Sequence, residues 1–342
     1  MGLNKKKIIL NGFHLFCINK RKPKFNRKAF FFTFIAIVIL SIFIVVFSYK
    51  SEVPYDNFES EKPQIKVVNA FIKDVEEVFL TRVLYTSGSI VLDSFENETE
   101  KNGKVDDVEL AAESLLLLGR WPSGTYELKM ENHTLLNWSE KLIDLAWDEF
   151  KIKLNLTFHE VRVRQYSPWL LSFETDVTIM VNYSEISYII RDEISINLSI
   201  IDRRDPLFIQ LDHFLNVDND RIIKKIDINE WNSSTIIDHI NNQTFEYSNY
   251  APSYILRMEN SSEFSSCCGI ESFMNSSYVQ NYSYVDHQFF NQTNWCPNQL
   301  FNLTDVWDDV SGDGEQFKLD LLHLAQYGYT LGDGKTDNVI CS

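Results

Sequence analysis

The chain has 342 residues, of which 44% are hydrophobic and 14% aromatic, and its 32 basic and 48 acidic side chains give a net charge of −16. That length and apolar content suffice for a domain with a real core. The acidic balance excludes nucleic acid as a partner, because phosphate repels a negative surface, and 12 glycines leave little material for phosphate-cradling loops.

The first predicted element is the apolar run 29–48, twenty residues without a charge and nearly all Phe, Ile, Val, Leu or Ala. A helix of that length spans about 30 Å, the thickness of a bilayer's hydrocarbon core. A secretory signal has a shorter apolar stretch and a small-x-small cleavage site, whereas "FSYKSEVP" follows here. The expectation is a transmembrane helix that stays in place, with the lipid bilayer as a partner. Residues 1–50 hold ten Lys or Arg and no acid, nine of the ten before the run, so residues 1–28 read as a basic cytoplasmic tail. Setting those ten aside leaves 22 basic against 48 acidic residues over 51–342, a net charge of −26. The expected location is therefore the cell membrane, spanned once, with the N-terminus inside and the bulk of the chain extracellular.

Sequons give an independent sign of the same placement. Thirteen N-x-S/T triplets occur, all after the apolar run: Asn97, Asn132, Asn137, Asn155, Asn182, Asn197, Asn232, Asn242, Asn260, Asn275, Asn281, Asn291 and Asn302. Asn- and Ser-rich chains also produce such triplets without use.

Residues 49–63 are polar, carry Pro54 and Pro63, and read as a linker. A helical region follows over 64–152. In it Val68, Phe71, Ile72, Val75, Val78, Phe79, Arg82 and Val83 recur at three- and four-residue steps, and "ENETEKNGK" is expected to break the helix. A second helix, "DDVELAAESLLLLG", opens on acids and stops at Gly119; a third starts near Thr134, with Leu135, Trp138, Leu142, Leu145 and Ala146 on its apolar face.

The period then falls to two, and 153–342 reads as a β-rich ectodomain, giving an α+β fold class with antiparallel sheets. In 169–183 the odd positions Leu171, Phe173, Val177, Ile179 and Val181 are apolar, and in 188–200 Ile190, Ile194, Ile196, Leu198 and Ile200 share a face. In "LNLTFHEVRVRQ" (154–165) the apolar parity shifts between Phe158 and Val161, which predicts a β-bulge. Asn155, Asn182 and Asn197 fall on the polar parity of these strands. Further on the expectations are a strand at "IIKKIDI", a helix at "STIIDHI" and a strand around "SYILRME".

Cys267, Cys268, Cys296 and Cys341 follow the apolar run and form the expected disulfide set, an oxidising location allowing three pairings. A bond between neighbours closes a strained ring, so Cys267 and Cys268 are each expected to pair with Cys296 or Cys341. Zinc on these thiols would need C-x₂₋₄-C spacing, which is missing.

No G-x-S-x-G, H-E-x-x-H, Walker or dinucleotide motif is found. Calcium is the one candidate cofactor, at "DVSGDGEQFKLD" (309–320). There Asp309, Ser311, Asp313 and Asp320 take oxygen-ligand positions 1, 3, 5 and 12, Gly314 takes the turn, and Glu315 completes the set. Gln316 where an apolar residue is usual, and Asp320 in place of Glu, depart from that pattern. The plain alternative is an Asp/Gly turn. Three Asp-His pairs, Asp212–His213, Asp238–His239 and Asp286–His287, could share a metal or an acid–base site, although neighbours point to different faces. Tyr247, Tyr250, Tyr254, Tyr278, Tyr282 and Tyr284 could form a recognition surface or fill the core.

Together "NAFIKDVEEVFLTRVLYTSGSIVL", "YSPW" (166–169), "RRDPLF" (203–208), "CCGIESF" (267–273) and "YVDHQFF" (284–290) resemble uncharacterised single-span surface proteins of small-genomed archaea. That resemblance implies a surface location and no reaction. "RKAFFFTFIAIVIL" partly resembles the start of a type IV pilin, which would imply cleavage after Ala29. Phe34 stands where pilins usually place Glu, and Ala29 where Gly is commoner. The expected function is a membrane-anchored extracytoplasmic glycoprotein. It would act by contact with other surface proteins or glycans, as an adhesin, envelope component or pilin-like subunit, without enzymatic activity. The alternative is an anchored hydrolase with carboxylate or metal chemistry.

Overall fold

A computed structural model describes residues 56–184, 186–209, 220–225, 231–274, 283–291, 300–307, 316–332 and 336–338. The apolar run 29–48, its basic flank and Ala29 lie outside them, and no helix among the described residues is long and apolar enough to cross a membrane. The chain divides into a short unit over 1–66 and a compact unit over 67–342. The fold is α+β with mainly antiparallel sheets.

Helix α1 (Asp56–Asp74) continues through a π-helical stretch (Val75–Leu80) into α2 (Thr81–Asn102). Val68, Ile72, Val75, Leu80, Val83 and Leu84 are buried, while the expected stripe member Val78 is exposed. The five-residue step from Val75 to Leu80 is the π spacing. That added residue re-aims the apolar stripe so that Leu80 takes the place expected for Val78. The helix ends inside "ENETEKNGK", the stretch expected to break it, although later than its first polar residues. It stops at Gly103, whose φ of 79° closes the end and lets its N–H reach Thr99 O at 2.8 Å. The polar residues there stay helical, with Glu100, Lys101 and Asn102 exposed and Thr99 turned inward.

Helix α3 (Val108–Leu118) begins where the Asp107 carboxylate accepts from Leu110 N and ends at left-handed Gly119. Thr134 likewise caps α4 (Leu135–Phe150), accepting from Asn137 N. Leu135, Leu142 and Ala146 are buried as expected and Trp138 is half-buried, whereas Leu145 is exposed and Ser139 lies on the inner face with the buried three.

These helices cover one face of an antiparallel sheet, β1 (Lys153–Ser167), β2 (Leu170–Tyr183) and β3 (Ile186–Ser199), with β2 central. Leu154, Leu156, Val161, Val163, Leu171, Phe173, Val177, Ile179, Val181, Ile194, Ile196 and Leu198 all face the core. The register of β1 on β2 shifts between Phe158 and Val161, at the predicted bulge. Gly88 lets α2 lie close on the sheet, since a Cβ there would come within 3.3 Å of Leu198 and 3.5 Å of Phe173. On the outer face Arg162 sits among Glu193, Glu160 and Asp176 at 2.7, 3.3 and 3.4 Å.

The remaining elements are short. They are β4 (Ile223–Lys224), α5 (Ser233–Asn241), β5 (Thr244–Tyr247), α6 (Tyr254–Met258), β6 (Ile270–Glu271), α7 (Asp286–Asn291), β7 (Leu300–Trp307), β8 (Gln316–Asp320), α8 (Leu321–Gln326) and β9 (Thr336–Asn338). β4 pairs parallel with β5, which pairs antiparallel with β6; β7 lies between β8 and β9. "SYILRME", expected as a strand, is helix α6. Ser253 caps it by accepting from Leu256 N, and Tyr254, Arg257 and Met258 turn inward at helical spacing. This half shares the core of the first through Phe208, Phe245, Phe273, Phe317 and Tyr327.

The cysteine pairing differs from expectation. Cys267 is bonded to its neighbour Cys268, and Cys296 and Cys341 lie outside the described residues. Local packing allows the tight ring. Both sulfurs rest against the carbonyl oxygen of Gln165, at 3.6 and 3.1 Å. The next residue, Gly269, passes so close to the chain that a Cβ would fall 2.2 Å from Ser248 O and 2.3 Å from Ala251 O.

Candidate functional site: a buried histidine and carboxylate cluster

Three short elements converge on one buried point. β6 ends at Glu271, α7 carries His287 in its first turn, and β8 hands over to α8 at Asp320, three residues before His323. Asp320 caps α8 with one oxygen, accepting from Leu322 N (2.7 Å) and His323 N (3.0 Å). Its other oxygen lies 2.6 Å from His323 Nδ1. A carboxylate only accepts, so Nδ1 carries a proton and donates to Asp320, and the charged ring turns its Nε2–H toward the Glu271 carboxylate. Glu271 Oε2 is 3.1 Å from that Nε2 and 3.9 Å from His287 Nε2. The other Glu271 oxygen accepts from Gln326 Nε2 (2.7 Å) and the Tyr327 hydroxyl (2.5 Å).

All four charged or imidazole groups are buried, with Glu271 and His323 at 0% exposure and His287 and Asp320 at 4%. Among the described residues, His287 Nε2 and Gln288 Oε1 are buried without a hydrogen-bond partner. One ligand atom from each of Glu271, His287 and His323 falls within 4.8 Å of the others. Tyr250 and Phe264 stack edge to face over the outer side, Tyr250 against His323 at 6.0 Å and Phe264 against His287 at 6.3 Å.

Beneath this cluster Arg257 binds Asp205 through Nε (2.7 Å) and Nη2 (3.1 Å), reaches Asp286 at 2.5 Å, and donates to Ile270 O at 3.1 Å. The three charged residues are wholly buried. Asp286 leads directly to His287, so the ion triad fixes the start of α7.

Burial opposes a charge on His323, yet Glu271 and Asp320 overcome it and carry its pKa up to about 10. Burial likewise disfavours the two carboxylates, but the His323 cation holds Glu271 down to about 2, helped by His287 and Tyr327, and Asp320 down to about 2, helped by Gln288. His287 is pushed down to about 3, mainly by burial, so its ring is neutral. The cluster can therefore act as an ion-pair knot, or exchange the His323 proton for another cation.

The residues singled out in the sequence distribute unevenly over this site. Asp309, Ser311, Asp313 and Glu315 of the calcium loop lie outside the described residues. Asp320 is turned inward onto α8 and His323. Of the Asp-His pairs, Asp286–His287 reaches the site, each residue with its own partners. His239 is buried against Thr244 and Phe273, with Asp238 exposed beside it, and Asp212–His213 lies outside the described residues. Tyr254 and Tyr284 are core, Tyr247 and Tyr250 partly exposed, and Tyr278 and Tyr282 undescribed. Sequence reasoning missed Glu271, His323 and Asp205. The available signal was a lone polar group in an apolar run, as in "GIESF" and "LLHLA".

Among the sequons, Asn132, Asn155, Asn182, Asn197, Asn232, Asn242 and Asn260 are exposed, and Asn97, Asn137 and Asn302 are half-buried. The side chains of Asn275, Asn281 and Asn291 are undescribed. Compared with known proteins, the chain matches no family model, no curated protein and no solved structure.

Proposed function

We propose that the chain is a membrane-anchored extracytoplasmic glycoprotein that works by contact. The observation that carries this reading is the outer face of the β1–β2–β3 sheet. Asn155, Asn182 and Asn197, from three different strands, all lie exposed there, while the opposite face is core. A glycan on any of them costs no packing. The Cys267–Cys268 bond supports an oxidising compartment. The uncharged run 29–48 behind a basic flank supports a single span with the acidic portion outside. The contact surface includes a groove of about 570 Å³ on this side, lined by His159, Asp176, Thr178, Arg191, Asp192 and Glu193. Its mixed lining, in which the Asp176, Asp192 and Glu193 carboxylates stand beside Arg191, His159, Thr178 and the apolar Val177, suits hydrogen-bonding groups on other surface proteins or glycans.

Protease added to intact cells, with detection at the C-terminus, tests the topology. The reading requires digestion without permeabilisation, and a chain protected until the membrane is opened contradicts it. One observation favours a second reading, an anchored hydrolase: acids and histidines from separate segments meet at Glu271, His287, Asp320 and His323. Their complete burial beneath Tyr250 and Phe264 favours contact over turnover.

A further inference from the structure

We propose that Glu271, His287 and His323 bind one divalent transition-metal ion, zinc by preference, and that Asp320 orients His323 for it. This inference stands apart from the surface role and from the thiol and calcium-loop candidates of the sequence. Two imidazoles and one carboxylate are a zinc donor set, whereas calcium and magnesium take oxygen. Ligands about 2.0–2.1 Å from a tetrahedral ion lie about 3.3 Å from one another. Glu271 Oε2 stands 3.1 Å from His323 Nε2 and 3.9 Å from His287 Nε2, so those two edges need shifts of a few tenths of an ångström.

Two features fit a bound metal ion, and the first has no other explanation among the described residues. His287 Nε2 is buried, stands 3.9 Å from Glu271 Oε2, and makes no hydrogen bond among the described residues. Asp320 holds the far nitrogen of His323, the outer-sphere carboxylate arrangement that metal-bound histidines use to fix tautomer and direction. Glu271 has a second such anchor in Gln326 and Tyr327, which grip its other oxygen. Charge agrees as well: the Glu271 and Asp320 carboxylates together balance a dication with both imidazoles neutral. Burial of all three donors makes this a structural centre that ties β6, α7 and α8 together. Tyr250 and Phe264 stand at its approach.

The test uses the full-length protein without a histidine tag, purified in mild detergent, stripped with a chelator and titrated with Co²⁺. The expected result is one equivalent bound with a visible ligand-field band, displaced by one equivalent of Zn²⁺, and a melting temperature that rises on loading. His287→Leu removes a nitrogen without hydrogen bonds and is expected to fold, yet to lose the band and at least about 100-fold in affinity. Asp320→Asn retains a cap and weakens binding about 10–100-fold. Glu109→Gln, on the exposed side of α3, leaves the stoichiometry unchanged. A wild-type protein that takes up neither Co²⁺ nor Zn²⁺ overturns the proposal whatever the variants do. So does a folded His287→Leu protein that binds as the wild type does.

Discussion

Asp320 and His323, three residues apart across a strand-to-helix junction, lock each other: the carboxylate caps the helix that carries the imidazole and accepts a hydrogen bond from its Nδ1–H at 2.6 Å. One side chain thus sets both where α8 begins and which ring nitrogen faces Glu271. Asp320→Ala removes a cap, worth about 1 kcal/mol, and strands a buried imidazole N–H, worth about 1–3 kcal/mol. Denaturant unfolding should show a loss of about 2–4 kcal/mol for Asp320→Ala and clearly less for Asp320→Asn. Equal losses would mean that the charge, not the two contacts, is what matters.

Arg257 holds Asp205 and Asp286 in the interior. Replacing it by Met leaves two buried carboxylates without a counter-charge, which costs about 3–5 kcal/mol. The thermal midpoint of Arg257→Met should fall far below that of a surface change such as Lys104→Met. A drop no larger than the surface control would remove Arg257 from the core account.

Acid sensitivity should show at His239. Burial pushes its pKa down to about 3, with Lys225 repelling the charged ring and Glu271 opposing. The folded state keeps the ring neutral, while the unfolded chain takes up a proton below its ordinary pKa of about 6.5. Its contribution is therefore full above about pH 6.5 and fades as the pH falls toward 3, by at most about 1.4 kcal/mol per pH unit. His287 adds a loss of the same sign. Urea midpoints of wild type and His239→Gln, measured from about pH 7 to pH 4, should converge on acidification. Parallel curves would show that His239 does not titrate on unfolding.

Peptide mapping under non-reducing conditions should find Cys267 and Cys268 in one peptide, lighter by two hydrogens than the reduced form. A ring this small constrains little of the unfolded chain, so reduction should leave the melting midpoint nearly unchanged. Peptides joining either residue to Cys296 or Cys341 would restore the pairing expected from sequence.

The long elements were legible because each buries one face over many residues. The alternation of Phe173, Val177, Ile179 and Val181, the parity slip at Phe158 and Val161, and the caps at Thr134 and Gly119 all reappear in the fold. Legibility failed where one added residue or a local contact decides the outcome. The π turn shifts burial from Val78 to Leu80, and Ser253 makes a helix of an apolar stretch too short to show a period. The site was less legible still. Glu271, His287 and His323 lie on elements of two to six residues, and only tertiary packing brings them together.

The central claim, a glycosylated surface protein, is tested most directly by the intact mass of the chain purified from its own cells, followed by site mapping. The account predicts glycan additions concentrated on exposed asparagines such as Asn155, Asn182 and Asn197, and none at Asn302, whose amide oxygen is buried. A mass equal to that of the bare polypeptide would contradict it.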